Sequence, residues 1–404
     1  MRPSRYFPHP SPFPECSRET ARALSTAIVS ELRKETAAGP PSREDGCVYT
    51  GAAGKAYCLY RIGELDLASQ LLHLSLHQGS KRRRPSDGLS LMCGEAGVAV
   101  VAALVSHASG KTETAQKMVD KFCSFAASSS GLMTSKADDE WLYGKTGFLV
   151  GALELRRVLG NQAVPSQIVE SVWNGLLRKG VSTGWVFPWH GEEYVGAAHG
   201  TMGVLHALMS VPEMCLAGGA GGSGNREALE AGLRTVLGWK CPDGNFPAVV
   251  EEKSQQMSEL VHFCHGAPGA VLLFSRAALL FSSQAYAREA VAAAEIVYSR
   301  GLLRKGPGLC HGVAGNGFAL LVLSRLPPPL LSASESERWR SRARQFAHFI
   351  STDEFRNGSR QPDTPLSMWE GWAGVLTFLK ALSPSEPDKG DNLDPFPLFS
   401  VFPV

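Results

Sequence analysis

This chain has no apolar run approaching the ~20 residues that a membrane span needs, and no excess of charge of either sign. Its 40 basic and 38 acidic residues leave a net charge of +2, so no electrostatic footprint for nucleic acid is present. The first residues, MRPSRYFPHPSPFPEC, carry charge without an apolar h-region, and position 2 is Arg rather than Gly. Neither a signal peptide nor N-myristoylation is therefore expected at this end. No C-x₂-C knuckle occurs, which argues against a closed zinc finger. Nine cysteines, an odd number, suit reduced thiols in the cytoplasm better than a disulfide framework. Alternating strand-like patterns are scarce; GWVFPWHG at 184–191 is the best candidate for a short extended piece.

What is present is ordinary globular material, 404 residues of which 44% are hydrophobic and 19% charged. The one dense basic run, KRRR at 81–84, reads as a solvated loop before Pro85 rather than a polyanion patch. A Gly-x-x-Gly element recurs seven times, its first glycines being Gly51, Gly94, Gly144, Gly200, Gly266, Gly312 and Gly371. The intervals are 43, 50, 56, 66, 46 and 59 residues, which suits one helical hairpin per copy with loops of varying length. An apolar run follows each copy. After Gly147, residues Phe148, Leu149, Ala152, Leu153, Leu155 and Leu159 fall at helical spacing with few charges, the pattern of a buried helix. Between copies lie helices with a single apolar stripe, such as Leu24, Ile28 and Leu32, or Trp339, Ala343, Phe346 and Ile350.

Seven buried helices alternating with seven amphipathic ones predict an all-α fold, an α/α toroid in which an inner ring is wrapped by an outer one. The whole chain, 1–404, is expected to form this single unit. Glycines lacking Cβ would allow tight turns and close approach at the mouth of each inner helix. Seven mouths at one end would build one site. Other segments read as connections: AGGAGGSGN (217–225) as a flexible loop, and 383–394 as a flexible loop before an apolar ending, PFPLFSVFPV, that docks back. Pro327–Pro329 reads as a short polyproline stretch that could meet an SH3-type partner.

The residues preceding each first glycine are Thr50, Cys93, Tyr143, His199, His265, His311 and Glu370. Three consecutive ones are histidine, and Cys264 and Cys310 stand immediately before two of them. Thiolate and imidazole are what Zn²⁺ prefers, and a site with an open fourth position is the catalytic pattern. A Cys–His nucleophile pair and buried structural thiols are the rival readings of the same residues.

The copies GAAHG, HFCHGAPG, GLLRKGPGLCHGVAGN and SMWEGWAG resemble the eukaryotic LanC-like family, relatives of the bacterial lanthionine cyclases. The resemblance runs from VYTGAAG near residue 50 to the FPLFSVF tail. It implies the seven-hairpin toroid, and one zinc ion held by Cys264, Cys310 and His311 with water or an incoming thiol in the fourth place. His265 would then support the site rather than bind metal. Cysteines 16, 47, 58, 93, 123, 215 and 241 become apolar fillers by default, with Cys93 set apart by its place at a mouth. The resemblance also implies that His199 is the proton donor and Asp139 the acidic residue facing the site, with Asp138 and Glu140 as near rivals. Glutathione would be bound by Lys305, Arg360 and Arg5. Phe263 departs from the family, which has Trp there. The implied reaction adds glutathione to dehydroalanine or dehydrobutyrine residues of proteins or peptides through a zinc thiolate. The alternative is a glutathione-binding zinc adaptor or redox sensor without catalysis. Toroid glycosidases are a weaker analogy, because the mouths carry too few carboxylates.

Overall fold

Each Gly-x-x-Gly copy closes a loop and opens a helix. The computed structural model describes residues 4–39, 46–78, 88–127, 137–216, 224–383 and 396–399. Among them the outer helices are α1 (Arg18–Ala38), α3 (Leu65–Gln78), α5 (Thr112–Ala127), α7 (Ser166–Ser182), α10 (Gly224–Leu237), α12 (Gln284–Arg300) and α14 (Ala333–Ile350). The inner helices are α2 (Ala52–Ile62), α4 (Glu95–Ala108), α6 (Lys145–Leu159), α8 (Thr201–Leu208), α11 (Ala267–Phe281), α13 (Val313–Leu323) and α16 (Ala373–Leu382). Two short helices, α9 (Pro212–Cys215) and α15 (Asp353–Gly358), lie in connections.

Burial follows the sequence pattern. Every residue of α13 is buried, whereas α1 buries only Leu24, Ile28 and Leu32. Each inner helix packs on the next, and α16 closes on α2. Six outer helices follow their inner partners in the chain; α16 has none after it and packs against α1 instead. The first helix of the sequence thus completes the last hairpin, which leaves no open end to the stack. No helix of the described residues is long and apolar enough to cross a membrane.

The repeated glycines are used for closeness. A Cβ on Gly147 would lie 2.0 Å from the Trp141 carbonyl oxygen, and one on Gly315 would lie 1.9 Å from that of Leu309. In each case the carbonyl belongs to the loop residue six positions earlier, pressed onto the first turn of the inner helix. Left-handed freedom is needed less: Gly51, Gly94, Gly144, Gly200 and Gly312 are extended, and Gly266 at φ +105° is the exception.

The chain's end fills the middle. Phe396, Leu398 and Phe399 are buried, with Phe396 stacked on Phe263 at 4.9 Å. The Trp141 indole N–H donates to the Leu398 carbonyl at 3.0 Å. Phe263 therefore sits in a cage with Trp141, Trp369, Phe396 and Phe399. The 184–191 piece is not a strand: Gly184, Trp185, His190 and Gly191 have positive φ, and within it only Trp189 forms a bridge, with Glu192. Pro327–Pro329 is a turn rather than a polyproline helix, since the Leu330 N–H returns to the Pro327 carbonyl at 2.9 Å and Leu330 and Leu331 are buried beneath it. The basic run at 81–84, residues 217–223 of the glycine-rich loop and residues 384–394 lie outside the described residues.

Replacing Gly315 with Ala is expected to destabilise the protein by about 2–3 kcal/mol through overpacking, read as a lower urea midpoint at unchanged slope. Gly175→Ala is the control. Its Cβ would meet nothing within 4 Å on α7, so it should be neutral or stabilising by ~0.5–1 kcal/mol. Equal losses in both variants would refute the close-approach account.

Candidate metal centre

The residues two positions before each first glycine are Tyr49, Met92, Leu142, Ala198, Cys264, Cys310 and Trp369. Their backbones are joined around the mouth. The N–H of Cys264 donates to the Cys310 carbonyl (3.3 Å), Cys310 to Trp369 (2.8 Å), Trp369 to Tyr49 (3.2 Å), Tyr49 to Met92 (2.9 Å) and Met92 to Leu142 (3.4 Å). Trp141 continues to Ala198 at 3.1 Å. At the remaining junction a Cβ on Gly196 would stand 2.0 Å from the Cys264 carbonyl oxygen, so the two backbones touch there as well.

This ring makes Cys264 and Cys310 neighbours although 46 residues separate them. Their sulfurs and a ring nitrogen of His311 all lie within 4.8 Å of one another, close enough to hold one metal ion. Both cysteines are buried and His311 is half-buried. A hydrogen bond from the Cys264 thiol holds Cys310 well below the usual thiol range, with His311 and the Tyr49 hydroxyl adding to the effect. The same bond, together with burial, raises Cys264. Of the two, Cys310 is therefore the easier to ionise. Tyr49 is raised first by burial and then by the negative charge of these sulfurs. Tyr49 was not picked out in the sequence, although its place in the repeat matches that of the two cysteines and could have revealed it.

His199 lies at the neighbouring mouth. Its Nδ1 is 2.8 Å from a carboxylate oxygen of Glu140. Glu140 also accepts the backbone N–H groups of Leu142, at 3.0 Å, and of Tyr143. Burial raises Glu140, and these donors partly offset it. With Glu140 ionised, Nδ1 carries the proton and Nε2 is the nitrogen free for acid–base work. The acidic partner of His199 is thus Glu140. Asp139 turns the other way and pairs with Lys145 (2.7 Å) and Lys179. The His199 ring stacks on Trp189 at 4.1 Å and 5°, and Trp189 stacks on Tyr143 at 5.8 Å. Trp189 is presented by a two-residue turn in which His190 and Gly191 both have positive φ (50° and 85°), the geometry of a tight hairpin. Nothing in the sequence marked Trp189 as a support for His199; it faces the ring only because that turn folds back.

His265, the third mouth histidine, is outside the donor trio and lies 6.1 Å from His199, ring to ring. The three cations assigned to glutathione come together through backbone pairing. Arg304 donates to the Arg5 carbonyl at 2.9 Å, and Arg360 to the Arg304 carbonyl at 2.6 Å. Arg5 pairs with Glu259 at 2.8 Å and Arg360 with Asp363 at 3.0 Å. Lys305 is exposed and has no ion pair among the described residues. Its charge still reaches the centre, helping to lower His262 and partly opposing the rise of Cys264. The default fillers behave as such where they are deepest: burial pushes the Cys215 thiol up to about 12 and raises Cys58 further. All nine cysteines are free.

The fold and this centre define an α/α toroid with a thiol–imidazole site at one mouth. The chain belongs to the lanthionine synthetase C-like family, whose model matches residues 42–394. It is 30% identical over 348 residues to "Glutathione S-transferase LANCL1" of Danio rerio, covering 83% of this chain and 81% of that protein. Its fold is similar to that of nisin cyclase, with a TM-score of 0.60 at 16% identity over 90% of this chain and 94% of that one.

One pH dependence follows. Burial, and then the charge of His199, push His265 down to about 4, whereas an unfolded histidine titrates near about 6.5. The unfolded chain therefore binds the extra proton. The stability from this residue is complete above pH ~6.5, falls as pH drops toward ~4, and amounts to roughly 3 kcal/mol. Urea unfolding of the metal-free protein at pH 7 and pH 4.5 should show the loss, and His265→Asn should remove about that much of it. An unchanged loss in the variant would assign it elsewhere, His262 being shifted in the same sense by burial.

Proposed function

We propose that this protein is a zinc enzyme that adds glutathione to dehydroalanine or dehydrobutyrine residues, forming a thioether. The observation carrying this reading is the meeting of two sulfurs and an imidazole within 4.8 Å at a mouth that also bears a carboxylate-held histidine. Two thiolates and one imidazole suit Zn²⁺ better than hard cations, which take oxygen donors. The half-exposure of His311 leaves a side open to an incoming ligand. Zinc bound by Cys264, Cys310 and His311 would supply a Lewis acid that ionises a thiol at neutral pH, well below its ordinary pKa of about 8.5.

The remaining steps belong to the protein. Lys305, Arg360 and Arg5 receive the carboxylates of glutathione, Arg5 and Arg360 by exchanging their exposed partners Glu259 and Asp363. Exposed pairs of this kind are worth little, so the exchange costs little. The sulfur forms a bond to the β-carbon of the dehydroamino acid, and the π electrons move to give an enolate. His199 takes up at Nε2 the proton that the thiol gives up and then delivers it to the α-carbon, while Glu140, accepting from Nδ1, stabilises the imidazolium in between. Trp189 holds that ring flat against its own, which limits the angles from which the proton can be delivered. The name of the 30% identical relative, a glutathione S-transferase, supports the same substrate. The cytoplasm, with its reduced thiols, is the compartment this chemistry suits.

Purified protein, Cys310→Ala and His199→Ala would be incubated with glutathione and a dehydroalanine peptide, with zinc content measured and the adduct followed by mass. One zinc per chain is expected in the wild type and in His199→Ala, and little in Cys310→Ala. The adduct rate should fall ~10²–10⁴-fold in His199→Ala and vanish without the metal. Zinc and glutathione binding with no adduct from the wild type would overturn catalysis and leave a binding protein.

A further inference from the structure

Glutathione carries two carboxylates and one ammonium group, and the cations described above answer only the carboxylates. Of the seven residues that precede a first glycine, Glu370 is the one carboxylate. It stands next to His311 in mouth order. The hydrogen bond from the Cys310 N–H to the Trp369 carbonyl holds its backbone directly beside the metal ligands. Gly308, two residues before Cys310, lies so close that a Cβ there would be 2.4 Å from the Glu370 carbonyl carbon. The Tyr49 hydroxyl feels the charge of Cys310, Cys264 and Glu370 together, which puts all three around one phenol.

Four other carboxylates near this end have partners. Glu140 holds His199, Asp139 holds Lys145 and Lys179, Glu259 pairs with Arg5, and Asp363 pairs with Arg360. Glu370 is half-buried, and the Thr364 hydroxyl donates to its Oε2 at 3.1 Å. Among the described residues no cation pairs with it. A half-buried carboxylate that faces no cation is open to one brought by a ligand. The Thr364 bond also orients the carboxylate without neutralising it.

We infer that Glu370, oriented by Thr364, is the acceptor for the α-ammonium of the γ-glutamyl arm and selects thiols that carry it. The inference rests on the glutathione reading. It distributes the ligand around the centre: sulfur toward Cys264, Cys310 and His311, carboxylates toward Lys305, Arg360 and Arg5, ammonium toward Glu370. It also makes Glu370 a specificity residue with no part in the proton transfer.

The test uses the zinc-loaded full chain and two thiols that differ only at the amine, glutathione and glutaryl-cysteinylglycine. Affinities are measured by calorimetry for the wild type, Glu370→Gln and Thr364→Val, with zinc content checked in each. The wild type should bind glutathione ~10–100-fold more tightly than the amine-free thiol, as a partly buried charged hydrogen bond implies. Glu370→Gln should lose that preference by weakening glutathione alone, and Thr364→Val should lose part of it. If the wild type binds both thiols equally well, the inference is overturned whatever the variants do. The same follows if Glu370→Gln keeps the full preference. If the wild type binds neither thiol, the glutathione reading itself fails.

Discussion

The hydrogen-bonded ring of loop backbones at the mouth is the constraint on which the rest of this molecule depends. Each loop gives an N–H to the carbonyl of the next, from Cys264 through Cys310, Trp369, Tyr49 and Met92 to Leu142, and Trp141 carries it on to Ala198. Such a ring satisfies polar groups that would otherwise be stranded, because these loops are buried between helices and cannot rely on water. It closes only if each loop lies flat on its helix. That is why the second glycine of six of the seven copies leaves no room for a Cβ, with Gly269 only tight at 3.0 Å. Hydrogen bonding, glycine placement and the sevenfold stacking of helices are therefore one constraint seen at three scales.

The chemistry uses the same ring. Side chains at equivalent places in consecutive loops come within reach of one another, so donors far apart in the chain converge without any dedicated loop. The low-dielectric setting then sharpens their differences. Two adjacent buried thiols cannot both ionise cheaply, so Cys310 is held below the usual thiol range and Cys264 above it. The mouth is divided by charge in a similar way. Cations gather where the N-terminal segment, the 302–306 segment and the 360 loop run side by side, while Glu370 is the single carboxylate among the residues that precede a first glycine. The aromatic tail seals the opposite side of the ring: Phe396 and Phe399 pack on Phe263, immediately before Cys264. A Phe at 263 suits that packing by stacking on Phe396, and it changes none of the donors.

Much of this was legible in the chain itself. A fixed glycine spacing repeated seven times, with apolar helices after it and striped helices between, dictates an all-α closed stack, because neither helix type can bury its apolar surface alone. The doubled Cys-His-Gly tripeptide places soft side chains at matching points of two neighbouring repeats, which meet if the repeats stack. Local periodicity is enough for the stack, but the choice of Cys264, Cys310 and His311, with His265 left out, rested on the resemblance to the LanC-like family.

Other features depended on three-dimensional proximity that no local pattern encodes. Adjacent residues at a turn point in opposite directions, so DDE at 138–140 could not reveal that Glu140 meets His199 while Asp139 meets two lysines. A run of three prolines has the composition of a polyproline helix, yet burial of Leu330 and Leu331 folds it into a turn. The pairing of α1 with α16 joins the two ends of the described helices, and the stack of Trp189 on His199 arises from a hairpin folding back over the mouth. Repetition determined the architecture and brought the two Cys-His pairs to neighbouring mouths. Tertiary packing decided which neighbours orient them, because orientation is set by whatever else competes for the same buried space.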